Sequence, residues 1–128
     1  MELNDFMRSY ADEINGNHSE YDDERSVIIV PLKDERFQAV IAEISDDKNT
    51  VNISSKVCET NENIDALNLL KENHNFPFCK FAVSNGFLKV ESNFNTKNLD
   101  EQLLKKTILD VANLADTWEF NITGKDIF

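Results

Sequence analysis

Phe81-Ala82-Val83-Ser84-Asn85-Gly86-Phe87-Leu88-Lys89-Val90 is a pair of strand-like runs joined by the dipeptide Asn-Gly. Both central residues of a type I′ turn need positive φ, which asparagine tolerates and glycine adopts freely, so the stretch predicts a two-residue β-hairpin. Closing the chain on Asn85-Gly86 pairs Ser84 with Phe87, Val83 with Leu88 and Phe81 with Val90. Side chains alternate across a strand, so those last four share one face, while Ala82, Phe87, Lys89 and Glu91 lie on the other. Phe87 is the informative residue of this second face. A large ring there either anchors a partner or belongs to a second small core.

Working outward, Ile64, Leu67, Leu70 and, less regularly, Leu69 mark a helix that Asn61 or Asn63 can cap. It ends near His74, because Pro77 disfavours helical geometry in the residue before it. Phe76 and Phe78 flank that proline and are expected as core plugs. Further upstream, Ser26 to Leu32, Phe37 to Ser45 and Thr50 to Cys58 are rich in β-branched residues and separated by charged turns, which predicts an antiparallel meander. The segment His18 to Arg25 is polar, acidic and without period. Its Asp22-Asp23-Glu24 lacks the alternating ligands and central glycine of a calcium loop, so it is expected as a solvated connection. Leu3, Phe6, Met7, Tyr10, Ala11 and Ile14 recur at helical offsets, with Gly16 after Asn15 as the stop. Downstream, Asn98 and Glu101 approximate a capping box. They open a long helix whose stripe runs through Leu104, Ile108, Val111, Ala115 and Trp118, widened by Leu103, Thr107 and Leu114. The expected architecture is one α+β domain over residues 1–128, a five-stranded antiparallel sheet with three helices in the order α-β-β-β-α-β-β-α.

The 128 residues hold 13 Lys plus Arg against 24 Asp plus Glu, a formal charge of −11. Such a chain repels phosphate backbones and anionic lipid headgroups, so nucleic acid and membrane are poor partners. Nine phenylalanines supply core surface and argue against disorder. No run is long and apolar enough to span a bilayer, and Met1-Glu2-Leu3-Asn4-Asp5 lacks the basic start of a secretory signal, which together predict a cytoplasmic protein. Cys58 and Cys79 have neither CxxC spacing nor further partners and are expected as reduced, structural thiols.

Signs of enzyme chemistry are missing from the pattern. His18 and His74 have no second ligand at HxH or HxxxH spacing, and three isolated glycines build no phosphate cradle. A pair of carboxylates close in space could still offer acid/base chemistry, but most of them, such as Asp22, Asp46, Asp47, Asp100 and Asp110, fall in turns or on polar helix faces, where such charges solvate the surface. No enzyme, metal or cofactor is therefore expected.

Val27-Ile28-Ile29-Val30 and Ala39-Val40-Ile41-Ala42 place apolar groups on both faces of their strands, unlike the alternating Val51, Ile53 and Val57. Three helices make one layer. The second face is covered by a displaced helix, by a second copy, or by another chain, since leaving each such side chain wet forgoes about 1.5–3 kcal/mol. Phe87, Ala82, Ile28, Val30 and Trp118 form the candidate partner or dimer surface, with Trp118 also suited to the core. The rival reading takes the acidity as function, an inhibitor or immunity protein that blocks a basic surface of its partner.

The segment Leu69-Leu70-Lys71-Glu72-Asn73-His74-Asn75-Phe76-Pro77-Phe78-Cys79-Lys80-Phe81-Ala82-Val83, then Asn85-Gly86 and Leu114-Ala115-Asp116-Thr117-Trp118, resembles the YbjN-like family. That family is similar in fold to the type III secretion chaperones, and the order of elements matches both. The resemblance implies a small, acidic, cytosolic homodimer without cofactor that holds an extended or unfolded segment of another protein.

Overall fold

The computed structural model describes residues 2–60 and 64–124, so the expected caps Asn61 and Asn63 lie outside the described residues. The elements are α1 (Leu3–Glu13), β1 (Asn17–Asp22), β2 (Arg25–Pro31), β3 (Phe37–Ile44), β4 (Thr50–Glu59), α2 (Ala66–Asn73), β5 (Lys80–Ser84), β6 (Phe87–Asn95) and α3 (Glu101–Thr123). One antiparallel sheet runs in the order β1-β2-β3-β4-β6-β5.

The hairpin closes in the expected register. Ser84 pairs with Phe87, Val83 with Leu88 and Phe81 with Val90, and the turn residues Asn85 and Gly86 have φ of 53° and 81°. A Cβ on Gly86 would meet nothing within 4 Å. Gly86→Ala therefore acts through backbone conformation alone, and it is expected to lower stability by about 1 kcal/mol in a urea titration, with no change in m-value.

The sheet has six strands, not five, and the order is α-β-β-β-β-α-β-β-α. The extra strand is β1, in the segment expected as a solvated connection. It is an edge strand with one neighbour, so it needs no apolar alternation, and its His18, Glu20 and Asp22 with a register shift between Glu20 and Asp22 are the usual guards of an exposed edge. His18 Nε2 lies 2.7 Å from Ser26 Oγ on β2. Desolvation at this contact, then the positive charge of Arg8, holds the imidazole below its ordinary pKa.

Helix ends differ from the simplest reading in an instructive way. At the end of α1 the left-handed residue is Asn15, with φ of 59°, while the Gly16 amide donates to the Ala11 carbonyl and the Asn15 amide to Asp12, a Schellman closure. Gly16 serves another need, described in the Discussion. Asp100, not Asn98, caps α3 by accepting from the Leu103 amide, and Asp65 caps α2 by accepting from the Asn68 amide. On α2 only Leu69 is buried; Leu67 and Leu70 point to solvent, opposite to the expected face.

All three helices serve one core. Phe6, Met7 and Tyr10 of α1, Leu69 of α2, and Leu104, Ile108 and Val111 of α3 join Ile28, Val30, Val40, Ile53, Phe81 and Val90 of the sheet in one buried cluster. Phe76 and Trp118 flank Phe81 edge-on at centroid distances of 5.6 and 5.2 Å, which fixes β5 against α3. Phe76 is thus the expected plug, whereas Phe78 is exposed. In β4 the register shifts between Lys56 and Cys58. There the buried Gln38 amide donates to the Lys56 carbonyl at 2.7 Å and to Ser55 Oγ at 2.9 Å, serving polar groups at the bulge. Among the described residues no helix is long and apolar enough to cross a membrane.

Candidate functional site

The pairing register sorts the sheet residues by face. Ile28 pairs with Val40, Ala42 with Ile53 and Phe81 with Val90 on the helix side; Val27 pairs with Ile41, Ile29 with Ala39, Ile41 with Ser54 and Ala82 with Lys89 on the opposite side. No helix among the described residues packs on that opposite side, which is called the open face below.

Three of the five candidate surface residues therefore lie off the open face. Ile28 and Val30 have no solvent exposure and belong to the core under the helices. In a strand buried on one side and apolar on both, the sequence leaves open which parity faces the helices; here the odd-numbered Val27 and Ile29 take the open face. Phe87 and Ala82 lie on the open face and are half-buried. Trp118 is half-buried on the other side, its ring against Phe81. The five residues do not form one patch.

What the register brings together instead is an apolar stripe of Val27, Ile29, Ala39 and Ile41, with exposed Phe37 at one end. Val27 is only 8% exposed, yet it lies outside the helix-side cluster. Beside the stripe come the side chains of Lys56 on β4 and of Lys89 and Phe87 on β6, with Lys56 Nζ 4.0 Å from the Phe87 ring centroid. Arg25 pairs with Glu43 and Lys80 with Glu91, each directly across the ladder. A signal for this stripe exists in the sequence. The polar residues of β4, Asn52, Ser54 and Lys56, mark the open face, and carrying that parity across two ladders assigns Ile41 and then Val27 to it.

A second exposed apolar group lies at the far edge. Leu67 and Leu70 on α2 and Val83 on β5 are 63%, 65% and 66% exposed. β5 is the other sheet edge, and unlike β1 it is unbulged, with Lys80 as its one charged residue.

Candidate chemistry elsewhere is structural. Arg36 Nε reaches both carboxylate oxygens of buried Asp116 at 2.9 and 3.1 Å and ties the β2–β3 link to α3. Both cysteines are free thiols, and burial, then the nearby Asp110 charge, raises the Cys79 pKa, which disfavours its thiolate. Among the described residues no group of three or more His, Cys, Asp or Glu is placed to hold a metal ion.

Comparison with known proteins gives fold similarity without close sequence similarity. No family model matches the chain, and no curated protein sequence matches it. A chain in the crystal structure of the ExsC–ExsE complex superposes with a TM-score of 0.67 at 12% identity, covering 94% of this chain and 92% of that one. A chain in the HopA1–SchA chaperone–effector complex superposes with a TM-score of 0.63 at 14% identity, covering 97% and 91%. The α+β arrangement of three helices on an antiparallel sheet is thus a fold shared with those two chains.

Proposed function

We propose that this chaperone-like fold works as a non-enzymatic, cofactor-free module that holds an extended or unfolded segment of another protein, as a cytoplasmic homodimer of one domain related to the YbjN-like proteins. The observation that carries the reading is the sheet itself. Its helices cover one face, and on the other no helix among the described residues lies over Val27, Ile29, Ala39 and Ile41. A polypeptide laid on that face recovers burial that an isolated subunit forgoes. The structural likeness to chains in a protein–protein complex and a chaperone–effector complex supports the same reading.

The homodimer part of the proposal rests on the unguarded edge. A two-fold pairing through β5 and α2 would bury Leu67, Leu70 and Val83 against their own copies and leave the open face to the partner protein. Molar mass in solution tests it, with a dimer expected for the native chain and a folded monomer for Leu67→Asp/Leu70→Asp. A native chain that stays monomeric at every concentration overturns the dimer. The segment-holding role is tested by copurification from the native source, identification of the partner by mass spectrometry, and reconstitution of the pair. The expected complex has a defined stoichiometry, and in it a partner segment gains protease protection while keeping an unfolded circular-dichroism signature. A chain that forms no reconstituted complex overturns the role.

A further inference from the structure

β1 is joined to the rest of the fold without an apolar anchor. None of its six residues is buried, and His18 is the only one of them that is not exposed. The register sets His18 opposite Ile28 and Glu20 opposite Ser26, so both side chains lie on the helix side of the sheet, towards α1. Besides the ladder to β2, polar contacts hold the strand. Arg8 of α1 stands 3.1 Å from Asp5 on its own helix and 3.8 Å from Glu20 on β1, and Asn4 Nδ2 donates to the Asp22 carbonyl at 2.8 Å. The charged groups around the imidazole are the Arg8 guanidinium from α1 and the Glu20 carboxylate from β1 itself, while β2 offers it the Ser26 hydroxyl at 2.7 Å. Burial, then Arg8, disfavours the charged imidazole, and Glu20 offsets them only in part.

We propose that β1 is an acid-releasable strap: protonation of His18 loosens its ladder to β2 and bares the β2 edge, while the rest of the sheet stays intact. A proton on His18 sets a second cation beside Arg8 at the one half-buried position of the strand. The released strand takes up that proton more readily than the paired one, so the ladder is firmest above the ordinary histidine pKa and weakens as the pH falls through the lower value held in the fold. This window lies above the ordinary carboxylate range, which separates the release from general acid unfolding. An edge strand also opens locally at a far smaller cost than the whole domain, because it gives up one ladder and no core. Its departure uncovers Val27-Ile28-Ile29-Val30, a β-branched run without a charged residue to guard the new edge. The inference goes beyond the segment-holding reading and does not depend on it.

Native-state amide hydrogen exchange of the isotope-labelled full chain, corrected for the pH dependence of intrinsic exchange, reads the ladder strand by strand. Between about pH 7.5 and about pH 5.5 the protection of amides bonded across β1 and β2 is expected to fall about twofold to fivefold, the effect of one like-charge contact, with β4 and β6 unchanged. His18→Gln keeps a hydrogen-bonding group for Ser26 and takes up no proton, so its ladder should be equally protected at both pH values. His74, the other histidine, is exposed at the C-terminal end of α2, and His74→Gln should show the same fall as the native chain. Equal protection of the native chain at both pH values, an undiminished fall in His18→Gln, a parallel fall across β4 and β6, or β1 amides without protection at either pH overturns the proposal. Reconstitution of the partner complex at about pH 7.5 reads the segment-holding role separately, so either can fail while the other stands.

Discussion

Ile28→Asp is expected to unfold the chain, whereas Ile29→Asp, one residue later, is expected to leave it folded and unable to hold a partner segment. Ile28 is wholly buried between the sheet and the helices. Replacing it there removes about 1.5–3 kcal/mol of apolar burial and sets a carboxylate inside the apolar cluster, a further cost of several kcal/mol. Together these rival the roughly 5–15 kcal/mol by which whole domains are stable. Ile29 is half-buried on the open face and pairs with Ala39, so an aspartate there reaches water and costs about 1 kcal/mol. Far-ultraviolet circular dichroism and a urea titration read the first outcome, and complex formation with the reconstituted partner reads the second. A folded Ile28→Asp beside an unfolded Ile29→Asp would mean that the covered and open faces are exchanged.

Gly16→Ala is expected to be the most damaging of the conservative changes, although Gly16 sits in an ordinary backbone conformation. A Cβ there would lie 2.3 Å from the Ile29 carbonyl oxygen, and both partners are main chain. Neither can turn away as a flexible side chain would, so the junction of α1 with the β1–β2 ladder must open. That loosens the helix carrying Phe6, Met7 and Tyr10, at a cost of about 2–4 kcal/mol or a fall of roughly 10 °C in melting temperature. Asn15→Gly separates the two roles of this turn. Asn15 has φ of 59°, which glycine adopts without steric cost, so that change should hold or raise the melting temperature. A Gly16→Ala chain as stable as the native one would show that the close approach to Ile29 does not exist.

Much of this fold is legible in particular residues. Asn85-Gly86 specifies its hairpin because few dipeptides accept two positive φ values, and the register that follows is geometric. The stripe through Leu104, Ile108, Val111 and Ala115 specifies α3 because helical offsets hold over a long stretch. β1 is not legible, since an edge strand needs a ladder on one side only and tolerates Asn17-His18-Ser19-Glu20. The buried side of α2 is also ambiguous. A short helix with Leu67, Leu69 and Leu70 offers two faces, and contact with β5 selects Leu69.

By itself the sequence determined the helices, the meander, the hairpin register and a β layer apolar on two sides, because each follows from local conformational preference or from the two-residue period of a strand. Which of those sides meets the helices was decided only in the tertiary structure. Ile28 and Ile29 differ by one step along the chain, and their fates are separated by ladder pairings that connect distant strands. The setting of His18 has the same origin, since its polar segment meets Ser26 and Arg8 only when β1 is laid beside β2 with α1 on that side of the sheet.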